Sequence, residues 1–408
     1  MLKDKKYNIA FILFIILIIY LIFPKILYYA FVFPLAVNEK VYLFGDWSVI
    51  FSAIECKLLG FDVFVLNPCD IKGRRHAYGS ILLYIPYFKE YAKFYLTYIP
   101  IFFNIIFISI IVFHFNLKKI SELILCFLFI ISPSTLLAME RFNIDILVFL
   151  LLILSCYSRS NFLNLMIISS ATLAKFYPIV CSVVFFFKGK NLTKFCFFGL
   201  FILIFFIFFY LELDNLKKIY AFKAQFSAGH QRSFSVYNLI STPLLASILS
   251  DIYIILLTLI FSFIFFIFSF SFSKKMSFLE DFSFNDYKNR LFFLGSVICV
   301  AVYFSFNNIY YREIFLFFLI PYLLSKTDKN SFIKYLIYFF IGRHIFFLFS
   351  NYFNFIELVI NTENINITNV INGTLVIKAF LDLFLISTIF GILVRICINL
   401  YNNQRVKL

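Results

Sequence analysis

Read for hydrophobic and polar positions, the chain alternates apolar runs with shorter polar breaks. The runs fall at about 7–29, 96–115, 122–138, 144–157, 161–174, 177–187, 195–211, 251–273, 291–305, 314–324, 332–350 and 374–396. A helix needs roughly 20 apolar residues to cross about 30 Å of hydrocarbon. Several runs are shorter than that, and pairs of them are expected to form broken or tilted helices, which neighbouring protein can satisfy. The pattern predicts an all-α polytopic membrane protein with about 12 transmembrane helices. It forms one membrane domain over 1–408, with a long first external loop at about 30–95 that contains amphipathic helices. Residues 1–29 carry a lysine cluster and an apolar run like a secretion signal, but no small-residue cleavage site follows, so they read as a retained first span.

Composition agrees with lipid as the solvent: 63% of the 408 residues are hydrophobic and 14% are charged. The 64 Phe suit any lipid-facing position and carry no functional meaning by themselves. The net charge of +15 is spread over short loops and not gathered in one patch, so no nucleic-acid partner is expected. The eight cysteines include no CxxC pair and no Cys/His cluster, which removes the usual metal and redox motifs. Cys56 and Cys69 share the first large loop and either bridge, if that loop faces an oxidising compartment, or stay as free thiols.

The basic breaks give an orientation. LKK at 117–119, SRS at 158–160, KGKNLTK at 188–194, SKK at 273–275 with YKNR at 287–290, SKTDK at 325–329 and the tail after Arg395 all fall on one side of a twelve-span chain. Positive loops stay cytoplasmic, so both termini are expected to be cytoplasmic in a plasma (inner) membrane. The remaining breaks, 38–95, 140–143, the turn around Lys175, 212–238, 307–313 and 351–373, then face outward.

That outer side collects the candidate chemistry, because ionisable groups at span ends are expensive and are functional candidates by default. In FGDWSVIF, Asp46 opens an amphipathic segment with Gly60 at its stop. It reads either as the cap of that helix or as a carboxylate at the lip of the bilayer. MERFNID supplies Glu140, Arg141, Asn143 and Asp145. ATLAKFYP puts Lys175 at the tip of a hairpin turned by Pro178, SAGHQRSF supplies His230 and Arg232, and NNIYYRE supplies Tyr311, Arg312 and Glu313. Arg74, Arg75 and His76 lie in the first loop.

The order of these stretches resembles the polyprenyl-phosphate-dependent glycosyltransferases of the GT-C superfamily, most nearly the alpha-mannosyltransferase type, glycosyltransferase family 87. The shared features are an Asp in the first external loop, a turn followed by N-I-D entering a span, a hairpin of small and apolar residues ending in K-x-x-P, here SSATLAKFYP, and a late external turn, here YYREIFLFFLIP. They cover about forty residues of motif and most of the chain in topology. The resemblance implies a GT-C fold and transfer of a hexose, mannose favoured, from a polyprenyl-phosphate donor to a glycan or glycolipid acceptor. It implies that Asp46 is catalytic, that His230 touches the acceptor or assists as a second base, and that Lys175, Arg232 and Arg312 lie near the donor phosphate. Arg74 and Arg75 are further phosphate candidates, and Glu140, Arg141, Asn143, Asp145 and Tyr311 are candidates for sugar and acceptor. Some superfamily members carry an acidic pair where this chain has one Asp; no metal and no other cofactor is expected.

The residues support the same chemistry. No Gly-rich phosphate loop and no DxD motif is present, so a donor used on the outer side has to arrive on a lipid. A hydroxyl acceptor needs a base, and one base opposite one phosphate suggests inversion by single displacement. Two other classes stay open: a flippase or transporter of lipid-linked sugars, and an O-antigen polymerase or ligase. A transporter should place ionisable residues deep within its spans. Those present are Arg343, Lys378 and Asp382, of which the last two are four apart and expected to pair.

Overall fold

A computed structural model describes residues 11, 43–117, 119–187, 191–225, 234–235, 251–305, 310–328, 330–360 and 365–405. Among these residues every regular element is helical. In chain order the α-helices are α1 (Gly45–Leu58), α2 (Ile99–Phe113), α3 (Ile120–Ile130), α4 (Pro133–Arg141), α5 (Ile144–Tyr157), α6 (Asn161–Ala174), α7 (Val184–Phe187), α8 (Asn191–Gln225), α9 (Asp251–Ser273), α10 (Tyr287–Ser305), α11 (Ile320–Lys326), α12 (Ser331–Ile360) and α13 (Ile365–Arg405). Short 3-10 helices join them, notably Ser80–Tyr84, Tyr177–Val183 and Tyr310–Leu319.

Among the described residues six helices are long and apolar enough to cross a bilayer, or seven if the bent pair α3–α4 counts as one crossing. That pair is bent by 47°, at a break followed by Pro133, which cannot donate the next backbone bond. The apolar runs at 144–157, 161–174 and 177–187 form helices shorter than a full crossing, and the run at 7–29, residue 11 apart, lies outside the described residues. The polar stretch 351–373, expected as a loop, is helical over 351–360 and again from 365. It contains no proline and a single glycine, so nothing in it forces the chain out of the helix.

The chain divides into two compact units. One comprises Lys40–Phe107 and Leu137–Ser227; the other comprises Met1–Glu39, Ile108–Leu136 and Ala228–Leu408.

In the first unit α5 lies against α6, and Ser155 Oγ donates to Asn164 Oδ1 at 3.0 Å across that interface. Helix α1 is enclosed on most sides: Trp47, Ile50, Phe51, Ala53, Ile54 and Cys56 are all buried. The amphipathic helix expected at a membrane surface is therefore a packed element of this unit. It ends where the sequence suggested, since α1 stops at Leu58 and Gly60 has φ 87°, a left-handed conformation that glycine adopts cheaply. Cys56 and Cys69 form a disulfide, which ties the end of α1 to the following loop. The loop is tied to α8 as well, by Lys218 Nζ to Asp62 Oδ2 at 2.7 Å and by Ser80 Oγ donating to the buried Glu212.

In the second unit α9 runs along α13, where Gly391 admits Ser269 so closely that an added Cβ would sit 2.9 Å from its side chain. Phe261–Phe380 and Phe265–Phe384 extend the same interface. Its interior also holds a closed ring of charges. Arg343 bonds Asp382 at 2.6 Å and Glu313 at 2.8 Å, and Lys378 bonds Glu313 at 3.0 Å and Asp382 at 2.9 Å. The expected Lys378–Asp382 pair is thus half of a four-membered network.

Candidate functional site

The site in the first unit is built by two chain turns that meet. Phe44 and Phe142 both take left-handed backbone conformations, φ 60° and φ 42°, which are strained for a side chain of this bulk. The Phe44 N–H donates to the Glu140 carbonyl at 2.6 Å, locking one turn to the other. Trp47 and Phe103 hold the Phe142 ring, at centroid distances of 5.2 and 6.2 Å, and Trp47 Nε1 donates to the Tyr95 carbonyl at 2.9 Å. Each strained phenylalanine sits just ahead of a polar residue, Asp46 on one turn and Asn143 on the other.

Asp46 lies in the first turn of α1, where the N-cap is Phe44, and its carboxylate bonds side chains of other segments and no backbone N–H of the helix start. Capping is therefore not its role. Oδ2 accepts from Asn143 Nδ2 at 2.6 Å, while Oδ1 faces Arg141 Nη1 at 3.5 Å and Arg74 Nη1 at 3.9 Å. The side chain is 14% exposed. A bonded carboxylate with one edge open beside two guanidiniums can take a proton from a ligand and share that ligand's anionic group with the cations.

Arg74 is oriented from behind. Asp70 accepts from its Nε at 3.0 Å and its Nη2 at 2.9 Å, and also from the backbone N–H groups of Lys72 and Arg74. This loop can close tightly because Gly73 has φ 62°. Partial burial, followed by repulsion from Arg74 and Arg141, lowers the pKa of Lys72, so these three cations are crowded together. Arg141 Nε also lies 3.8 Å from Glu140. Arg75 is half-buried in the same loop.

Behind Asp46 a second set of groups is buried. Asn143 caps α5, its Oδ1 accepting from the Asp145 N–H at 3.0 Å and from Lys175 Nζ at 2.8 Å. Lys175 also pairs with Asp145 Oδ1 at 2.7 Å; its side chain is 10% exposed and that of Asp145 is fully buried. Tyr177 donates to Asp145 Oδ1 at 2.6 Å, and the rings of Tyr78 and Tyr177 lie 5.6 and 6.0 Å from Nζ. The hairpin forms as its sequence suggests: α6 ends at Ala174, Lys175 is extended, and Pro178 opens the 3-10 helix.

Of the expected site residues, the structure brings together Asp46, Arg74, Glu140, Arg141, Asn143, Asp145 and Lys175. Tyr311 and Arg312 belong to the other unit, on its 3-10 helix Tyr310–Leu319, with Tyr311 buried and Arg312 half-buried. His230 and Arg232 lie outside the described residues. Asp70, Lys72 and Tyr177 are neighbours of the site that the sequence pattern does not mark as site residues. Asp70 stands four residues before Arg74 and Tyr177 two after Lys175, so local spacing held a weak signal for each. Among the described residues no group of three His, Cys, Asp or Glu could hold a metal ion.

Compared with protein-family models, curated proteins and solved structures, the chain matches none.

Proposed function

We propose that this chain is an integral membrane glycosyltransferase of about 12 spans, with both termini cytoplasmic in the plasma membrane and the Asp46 site on the external face. It would move a hexose, mannose favoured by the resemblance, from a polyprenyl-phosphate donor to a hydroxyl of a glycan or glycolipid acceptor. The observation that carries the reading is the surroundings of Asp46. A partly open carboxylate is held by Asn143 at 2.6 Å and flanked by Arg141 and Arg74 at 3.5 and 3.9 Å.

In the proposed step the acceptor oxygen attacks the anomeric carbon while Asp46 takes its proton. The bond from that carbon to the phosphate oxygen breaks, and polyprenyl phosphate leaves with the electron pair. A positioned base contributes typically 10²–10⁴-fold. Fixed cations stabilise charge growing on the phosphate, most effectively where water is scarce. Arg74 and Arg141 are the cations that face the carboxylate, and Arg75, Arg232, Arg312 and His230 keep their proposed roles on the sequence argument.

The buried ring of Arg343, Glu313, Lys378 and Asp382 favours one rival, a flippase, since transporters bury ionisable groups in their spans. Its two cations and two acids close on one another, as a structural network does. The deciding experiment offers membranes containing the protein a panel of radiolabelled polyprenyl-phosphate sugars with acceptor. Under this reading label appears in acceptor and free polyprenyl phosphate accumulates in equal amount. Label that crosses the membrane still attached to its lipid would overturn it in favour of the flippase.

A further inference from the structure

We propose that Lys175 and Asn143 are positioning residues for Asp46: the ammonium acts on the carboxylate through the Asn143 amide and does not bind the donor phosphate. The inference rests on the reading of Asp46 as the base and revises the part assigned to Lys175 within it.

Hydrogen-bond polarity sets the order of the three groups. An ammonium only donates and an ionised carboxylate only accepts, so a group lying between them must accept on one side and donate on the other. Asn143 does this with the two ends of one amide: Oδ1 accepts from Lys175 Nζ at 2.8 Å, and Nδ2 donates to Asp46 Oδ2 at 2.6 Å. The Asp145 N–H, also donating to Oδ1 at 3.0 Å, fixes which end is oxygen. A cation bonded to the oxygen draws electron density along the amide, and the N–H facing Asp46 becomes a stronger donor. Because Asn143 is wholly buried and caps α5, the amide cannot swing away without exposing the start of that helix.

Lys175 is held for this task. Asp145, with no exposed side-chain surface, bonds Nζ at 2.7 Å and takes a second bond from Tyr177. Two tyrosine rings face the remaining side. Drawing Nζ out to a phosphate would leave Asp145 charged and buried without its cation, an arrangement proteins avoid. Arg74 and Arg141 are placed beside Asp46 with their side chains about one-third exposed, so the phosphate has better-placed partners.

The test compares wild type with Lys175→Met, Lys175→Arg, Asn143→Ala and the double variant Lys175→Met/Asn143→Ala, in detergent, using polyprenyl-phosphate mannose as donor. The expected result is kcat lowered roughly 10–100-fold by either single change, with the donor KM within about twofold of wild type. The double variant falls no further than Asn143→Ala alone, since both act through one contact, and Lys175→Arg recovers part of the loss. A tenfold rise in donor KM at unchanged kcat for Lys175→Met makes Lys175 a phosphate ligand and overturns the proposal, as do additive losses in the double variant. Infrared spectroscopy separates this failure from that of the glycosyltransferase reading. The Asp46 carboxylate stretch, identified by its loss in Asp46→Asn, should shift in both Lys175→Met and Asn143→Ala whether or not transfer is seen. An unshifted band in Lys175→Met sinks the relay even in an active enzyme.

Discussion

At the scale of single residues, the site depends on side chains whose partners fix their charge and direction. Lys175 was legible from the K-x-x-P hairpin as a cation at a turn, but the sequence held no sign that a buried Asp145 would claim it. Asp46 was legible as a carboxylate at a helix start, yet whether it capped or faced outward depended on Asn143, 97 residues away. His76 belongs to this scale too. It is 1% exposed, and its ring bonds the Gly79 carbonyl across the loop that carries Arg74. Burial lowers its pKa to about 4 from an ordinary value near 6.5. Between those values the unfolded chain binds the extra proton, so stability is full above about pH 6.5 and declines as pH falls towards 4. The interval corresponds to about 3 kcal/mol at most. Unfolding midpoints measured across pH 4–7 should drop for wild type and be flatter in His76→Phe. An identical slope in both would remove His76 as the cause.

Among elements, boundaries were read better than environments. The stop at Gly60, the hairpin at Lys175–Pro178 and the turn before α5 all follow local rules of backbone conformation, and local rules are visible in a sequence. The burial of α1 is not local; it depends on Tyr95 and Phe142 arriving from other segments. The helix continues through 351–360 although its polarity suggests a loop, because no breaker stands there. The disulfide was open from sequence, since two cysteines in one loop do not declare their oxidation state. It closes a short loop between α1 and the segment holding Asp70 and Arg74. Loop closure on this scale stabilises by about 3 kcal/mol. Cys56→Ser/Cys69→Ser should lower the melting temperature and reduce transfer, as Arg74 loses its fixed register against Asp46. Unchanged melting under both reducing and oxidising conditions would show the bridge absent from the native protein.

At the scale of the whole molecule, hydropathy anticipates helices long and apolar enough to cross a bilayer, and their number less directly. Six described helices, or seven with the bent pair, meet the length and composition of a span, while the shorter runs became helices that cross only if paired or tilted. Glu313 was read as part of an outer turn because its neighbours are polar. The structure puts it, 1% exposed, in a ring with Arg343, Lys378 and Asp382, a closure no single stretch announces. Removing one member of a buried ion network costs roughly 3–5 kcal/mol because a charge is left without a partner. Lys378→Met should therefore destabilise strongly. Lys378→Met/Glu313→Gln, which leaves the Arg343–Asp382 pair whole, should regain most of the loss in a denaturant titration. Equal destabilisation by the two variants would mean that packing, and not charge balance, governs this region.

If Asp46 is the base of a sugar transfer, its loss shows in the rate at which purified Asp46→Asn transfers sugar from radiolabelled polyprenyl-phosphate mannose. The expected result is a fall in kcat of at least about 100-fold with donor KM little changed. Turnover within a few-fold of wild type, in a protein that melts at the wild-type temperature, would contradict it.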